Sequence, residues 1–250
     1  MLCALYLATF FCLGTLAAAA GWPFFKWVDL AAIVAATGVT ILIAERGRWA
    51  IGLAAPPRVA LAEAGKGIAF AAVLIVAADV LIVVSSPLRH GGGGGFPWLE
   101  IVIVFLPAAF HEELTFRGYV YQKLRTWNRG GAVAVTAIVF AAMHGDNAGV
   151  TPIALANLLL AGVLLALAYE RHQRLWLPIG IHFGWNVVSG PILGYGVSGY
   201  VAGATVLTAR PAGPGWISGG SFGIEGSVWM LAVESLGIIA MARKGIVRSV

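Results

Sequence analysis

Residues 98–121 read WLEIVIVFLPAAFHEELTFRGYVY, an apolar stretch long enough to cross a lipid bilayer. Near its end it carries two adjacent carboxylates, Glu112 and Glu113, which Arg117 follows. An ionisable side chain in the middle of a spanning helix costs about 2.5–3.5 kcal/mol on insertion scales, so such residues mark a functional site by default. This stretch therefore predicts both a membrane-embedded fold and a site inside it.

The composition of the whole chain is that of an integral membrane protein. Of its 250 residues, 60% are hydrophobic and 11% are charged, whereas soluble domains carry about 25% charged residues. Seven further apolar segments predict an all-α, polytopic membrane helix bundle with about eight transmembrane helices. The eight segments are 2–21, 27–44, 67–85, 98–121, 131–144, 152–169, 175–193 and 227–242. The first also resembles a signal peptide at 17–20, but no basic residue precedes it, which favours a retained helix.

The basic residues predict how the bundle is oriented. With a cytoplasmic N-terminus and every segment spanning, 13 of the 16 Lys and Arg residues fall on the cytoplasmic side. The exceptions are Lys26, Arg89 and Arg210. The positive-inside rule describes such a bias, so both termini are expected in the cytoplasm, with the plasma membrane of a prokaryote as the location. The net charge of +5 follows from basic loops that face anionic lipid, and no nucleic-acid partner is expected.

The segments divide the chain into three parts. Residues 1–96 are expected to contain the first helices and a flexible glycine-rich linker at 91–95, and residues 97–193 a four-helix core that carries the predicted site. Residues 194–250 contain an outer loop and the last helix. The loop, 194–226, fits a lid, a re-entrant segment or a tether, and the sequence does not choose among them.

The two adjacent carboxylates have different surroundings. Glu113 and Arg117 are four residues apart on one helix, so they share a face and are expected to form an ion pair. Glu112 points about 100° away from Glu113 and has no cation on its own face. Glu112 is therefore the candidate general base, whereas the alternative interpretation is a salt-bridge network without catalysis.

Two later segments carry histidines. His144 follows Phe140 by four residues, and His182 precedes Asn186 by the same spacing, which places each pair on one helix face. Donor groups on one face suit the stabilisation of a developing oxyanion, although hydrogen bonds between helices would also explain each residue alone. A base, a partner and an electrophilic donor on neighbouring segments together predict an active site.

The ordered set resembles the CPBP family of intramembrane glutamic endopeptidases. That family has E-E-x-x-x-R, F-x-x-x-H and H-x-x-x-N or H-x-x-x-D on successive core helices, and all three patterns occur here between residues 98 and 188. It includes the CAAX proteases, which trim prenylated proteins, and bacterial relatives linked to bacteriocin processing and self-immunity. No cofactor or metal is implied, and the partners implied are membrane lipid and a peptide or protein substrate, with lipid-modified substrates as one class.

The resemblance also implies roles for the residues. Glu112 would activate a water molecule that His144 orients, and His182 and Asn186 would donate hydrogen bonds to the oxyanion. Glu113, Arg117 and Phe140 would support the site, in a cavity open to the cytoplasmic leaflet. Measured along the predicted helices, His144 and His182 lie at different depths, so the site requires tilted or staggered helices.

Three other interpretations remain open at the level of sequence. His111, Glu112, His144 and His182 offer ligands for a zinc-dependent membrane protease, although the second histidine of H-E-x-x-H is missing. Buried carboxylates and histidines also build the proton relays of proton-coupled transporters. A non-catalytic immunity factor that acts by binding a partner is the third interpretation.

Overall fold

The computed structural model describes residues 25–47 and 50–243, which are mostly helical. The α-helices are α1 (Phe25–Ala44), α2 (Pro57–Ser85), α3 (Trp98–Glu100), α4 (Leu106–Phe116), α5 (Tyr119–Arg125), α6 (Arg129–Ala142), α7 (Pro152–His172), α8 (Trp176–Val187), α9 (Gly215–Ser218) and α10 (Val228–Arg243). A π-helical segment, Ile101–Phe105, joins α3 to α4, and another, Val188–Ile192, extends α8. The predicted span 2–21 lies outside the described residues.

Three helices in the described ranges are long and apolar enough to cross a membrane: Phe25–Ile43, Pro57–Ser85 and Pro152–His172. They correspond to the predicted spans 27–44, 67–85 and 152–169. The helix Arg129–Ala142 is apolar but shorter. The predicted span 98–121 is divided, because α4 ends at Phe116 and the chain turns at Gly118. A Cβ atom at Gly118 would lie 2.1 Å from the Leu114 carbonyl oxygen, so this turn requires glycine.

The described residues also include a small antiparallel sheet that the sequence analysis did not anticipate. In it, β1 (Arg89–Gly92) pairs with β2 (Leu207–Arg210), and Arg89 lies opposite Arg210. The expectation of a flexible linker at 91–95 is therefore wrong for its first residues. Four-residue strands that contain glycines show no apolar alternation, so hydropathy did not reveal them.

Glycines bring the helices of the core into close contact. A Cβ atom at Gly67 of α2 would lie 2.5 Å from the Leu177 carbonyl oxygen, and one at Gly180 of α8 would lie 2.2 Å from the Ala64 carbonyl oxygen. The backbones of α2 and α8 therefore touch, as small residues allow in membrane proteins. Gly162 makes the equivalent contact between α7 and α6, where an added Cβ atom would lie 2.6 Å from the Cα atom of Ala137.

One end of the bundle is formed by segments that contain six of the 13 described Lys and Arg residues, and we call it the basic end. It comprises residues 45–47, 50–56, 119–129 and 170–175. These segments bind one another: Lys123 Nζ lies 2.7 Å from Glu45 Oε1, and the Leu175 amide donates to the Gly52 carbonyl at 2.9 Å. Arg125 and Arg129 both pair with Glu170. Four segments far apart in sequence thus meet at one face.

The opposite end, which we call the loop end, comprises residues 86–97, 143–151 and 193–227. Besides the β1–β2 pairing, Asn147 Nδ2 donates to the Ser198 carbonyl at 2.8 Å. Asp79 Oδ1, near the end of α2, accepts from Tyr195 Oη at 2.7 Å and lies 2.8 Å from His90 Nε2. Helices α2, α6, α7 and α8 each have one terminus at either end of the bundle, so the two ends are opposite faces of it.

Candidate active site

Three separate elements supply the predicted site residues. Helix α4 carries Glu112 and Glu113, and α8 carries His182 and Asn186. His144 lies just beyond α6, in the turn that follows it. After α4 the chain forms the separate helix α5 at the basic end, so α6 begins at that end, where Arg129 contacts Glu170. The other end of α6 lies near Glu112. This arrangement removes the difference in depth between the two histidines that the sequence suggested.

A buried network surrounds Glu113. Its Oε1 atom lies 3.0 Å from Arg117 Nη1 and accepts from His182 Nδ1 at 2.9 Å. The Arg117 guanidinium also donates to the Gly162 carbonyl at 3.0 Å, and both charged side chains are 0% exposed. The predicted Glu113–Arg117 ion pair is confirmed. The pair also fixes the orientation of the His182 ring, because the ring nitrogen nearest to Glu113 must donate.

Glu112 faces the two histidines. Its Oε2 atom lies 3.9 Å from His144 Nε2 and 3.8 Å from His182 Nε2. These distances exceed those of direct hydrogen bonds, and among the described residues Glu112 Oε2 has no hydrogen-bond partner. The His144 ring is oriented by its other nitrogen, which donates to the Phe140 carbonyl at 2.8 Å. Glu112 and both Nε2 atoms thus surround one small space.

Phe140 packs among the groups of the site. Its ring centroid lies 4.9 Å from that of His144 and 5.1 Å from that of Phe116. The Arg117 guanidinium carbon lies 4.9 Å from the same centroid, within the range of cation–π attraction. The predicted supporting residue therefore contacts both the buried ion pair and one histidine.

A cavity of about 700 Å³ contains this space. Glu112, His144, His182 and Asn186 all line it, so the structure brings together the four predicted catalytic side chains. Tyr200 lines it from the loop end and donates to Glu100. Burial and this hydrogen bond raise the pKa of Tyr200 to about 12, so its hydroxyl keeps its proton at neutral pH.

The sequence analysis missed four carboxylates that line the same cavity: Asp29, Asp146, Glu225 and Glu234. Glu225 accepts from Trp185 Nε1 at 2.8 Å and from the Ser198 amide at 2.7 Å. Glu234, on α10, is 0% exposed, and neither of its carboxylate oxygens has a hydrogen-bond partner among the described residues. A signal was available: Glu234 is an ionisable residue inside an apolar segment, the same criterion that selected Glu112.

The donor set for a metal is limited. Within residues 25–47 and 50–243, no group of three or more His, Cys, Asp or Glu side chains is arranged to hold a metal ion. His111 lines the cavity, but His144 and His182 each direct one ring nitrogen to a protein oxygen. Each of these two histidines therefore has only Nε2 available for any further ligand.

Residues 94–188 match the family model described as Rce1-like, type II CAAX prenyl endopeptidase. The match covers 95 of the 250 residues, and over this region the chain is similar to the CAAX protease family. The match confirms the resemblance inferred from the motifs, and the family that it names consists of membrane proteases that act on peptide or protein substrates. No curated protein and no solved structure matches the chain.

The matched region includes every residue that the sequence analysis assigned to the site. Glu225, Glu234 and the cavity-lining segment 197–200 lie outside it. The family match thus covers the reactive groups and leaves out part of the wall around them.

Proposed function

We propose that the protein is an intramembrane glutamic endopeptidase in which Glu112 activates a water molecule for attack on a peptide carbonyl. The observation that carries this proposal is the position of Glu112 Oε2 at 3.8–3.9 Å from two imidazole nitrogens. One water bridges such separations with ordinary hydrogen bonds. A base within reach of that water, beside two orienting groups, meets the geometric requirement for general base catalysis.

The hydrogen bonds of the two histidines define what each Nε2 atom does. His144 Nδ1 donates to a carbonyl oxygen and His182 Nδ1 donates to Glu113, so each neutral ring presents Nε2 as an acceptor. Because a water molecule donates only two hydrogen bonds, His144 Nε2 accepts one of them in this state and Glu112 accepts the other. Glu112 takes the proton of the attacking water, and that proton later passes to the leaving amine.

His182 stabilises the oxyanion only when its Nε2 atom carries a proton. The resulting imidazolium lies between Glu113 and Glu112, two carboxylates that favour it electrostatically. The Asn186 amide, on the same wall of the cavity, supplies the second donor. Glu113, Arg117 and Phe140 keep these groups in position.

The surrounding membrane architecture is part of the proposal. We place eight spans in the plasma membrane of a prokaryote with both termini in the cytoplasm, and residues 97–193 as the catalytic core. The clustering of Arg and Lys at the basic end supports this orientation. The substrate is a peptide or protein segment that reaches the membrane, and lipid-modified segments are one class to be tested.

The experiment that tests the mechanism replaces Glu112 with its isostere. Purified protein in lipid vesicles is incubated with a peptide library, and products are identified by mass spectrometry. Glu112→Gln should lower the cleavage rate by about 10²–10⁴-fold, the usual contribution of a general base. The matched control is Glu45→Gln, which changes a carboxylate at the basic end, outside the cavity lining.

Two results would overturn the proposal. Cleavage by Glu112→Gln at the rate of the unchanged protein would remove Glu112 as the base. Cleavage that disappears with a chelator and returns with added zinc would assign the reaction to the zinc-dependent alternative instead.

A further inference from the structure

The cavity extends from the site towards the loop end. Residues 146–148 and 197–200, which belong to two loop-end segments, line it together with Lys26 at the start of α1. Of the described residues that form the basic end, none lines the cavity. The space next to Glu112 is therefore continuous with one face of the bundle and not with the other.

The opposite side of the site is filled with packed side chains. A cluster of buried apolar residues lies there, contributed by the basic-end halves of several helices. Its members include Leu114, Tyr121, Tyr169, Leu175 and Ile179. Tyr121 and Leu175 are 0% exposed, and the Tyr121 hydroxyl donates to Glu170 at 2.9 Å. This cluster separates the site from the basic end.

Charge assigns the two ends to opposite sides of the membrane. Among the described residues, the basic end contains Arg46, Lys123, Arg125, Arg129, Arg171 and Arg174, with Arg58 and Lys66 in the adjoining first part of α2 and Arg243 at the end of α10, whereas the loop end contains Arg89 and Arg210, and Lys26 lies at the start of α1. Short loops rich in Arg and Lys stay in the cytoplasm. The loop end, with the mouth of the cavity, therefore faces the other side.

We infer that the site receives its substrate from the non-cytoplasmic side of the membrane. The inference deepens the proposed function, and the part that concerns the substrate rests on that function. The scissile bond lies in a peptide segment displayed on the outer face, or held in the outer half of the bilayer. The sequence analysis expected the loops of the basic end in the cytoplasm and also a cavity open to the cytoplasmic leaflet, and these two expectations are not compatible in the described part of the chain. A substrate that stays in the cytoplasm, such as a lipid-modified cytoplasmic tail, does not reach this cavity.

The first test measures the side of the cavity without any enzyme activity. Cys3 and Cys12 are replaced by serine, and single cysteines are introduced as Ala148→Cys, which lines the cavity, or as Trp127→Cys, which is 87% exposed at the basic end. A membrane-impermeant maleimide is added to sealed vesicles of known orientation. Ala148→Cys should be labelled in right-side-out vesicles and Trp127→Cys in inside-out vesicles. The reverse pattern, or equal labelling of Ala148→Cys in both, overturns the inference.

The second test uses the substrate. A peptide that the purified protein cleaves is fused to a membrane anchor on the cytoplasmic side or on the outer side, and cleavage is compared in cells that carry the unchanged protein or Glu112→Gln. Cleavage of the outer fusion alone supports the inference, and cleavage of the cytoplasmic fusion overturns it. If neither protein cleaves any peptide but the labelling pattern is as expected, the proposed function fails and the assigned side stands.

Discussion

Removing the Arg117 side chain should have a large effect on stability. Arg117 and Glu113 are both 0% exposed, and their side chains pair at 3.0 Å. Arg117→Leu leaves the Glu113 carboxylate buried without its cation and also removes the hydrogen bond to the Gly162 carbonyl. Breaking a buried pair by removing one partner costs about 3–5 kcal/mol, which for a chain of this size lowers the melting temperature by about 6–20 °C.

A matched double variant separates the lost charge balance from the lost packing. In Glu113→Leu with Arg117→Leu no unpaired charge remains, so its melting temperature should lie above that of Arg117→Leu alone. His182 Nδ1 then loses its acceptor, and peptide cleavage should not recover. The assay is thermal unfolding in detergent or lipid nanodiscs at neutral pH, followed by tryptophan fluorescence. If Arg117→Leu melts at the temperature of the unchanged protein, or if the double variant is the less stable of the two, the reasoning about this pair is wrong.

Three further changes test separate features of the fold. Gly67→Ala should destabilise the protein, because the added Cβ atom would lie 2.5 Å from the Leu177 carbonyl oxygen. The control Gly65→Ala should be neutral or stabilising, because no described heavy atom lies within 4 Å of its Cβ position. Thermal unfolding of the two variants compares them directly. Glu234→Leu should raise the melting temperature, because it removes a buried carboxylate that has no described hydrogen-bond partner, and an unchanged or lower value would indicate a partner for this group. The Asn128 side chain caps α6 by accepting from the Gly131 amide at 2.7 Å. Asn128→Ala should therefore lower the free energy of unfolding by about 0.5–2 kcal/mol, measured by chemical unfolding in mild detergent. An unchanged free energy of unfolding would contradict this role of the cap.

The parts of the fold that follow from local periodicity could be predicted from the sequence. The spans 27–44, 67–85 and 152–169 are long apolar runs, and they appear as helices with ends shifted by a few residues in most cases. The pairing of Glu113 with Arg117 follows from a spacing of four on one helix. Helix α2 begins ten residues earlier than predicted because Pro57 occupies its first turn, where proline is favoured.

The remaining features depend on contacts between distant segments, which one sequence does not display. The pairing of β1 with β2 joins residues more than a hundred positions apart, and neither strand has a pattern of its own. The contact of His182 with Glu113 depends on the crossing of α4 and α8, so the network appeared in the sequence only as an isolated ion pair. Glu234 could have been selected by composition alone, but its place in the same cavity as Glu112 depends on how α10 packs against α7 and α2.

The separation between the reactive groups and the outer wall of the cavity has a consequence for how this protein can change. The residues proposed for catalysis all lie between residues 94 and 188, whereas the segment 197–200, which forms part of the cavity wall at the loop end, lies downstream. Under the proposed function, changes in the segment 197–200 should alter which polypeptides enter the cavity and leave the proposed catalytic residues unchanged. Part of the selectivity of the proposed enzyme would then be encoded outside the stretch that carries its reactive groups.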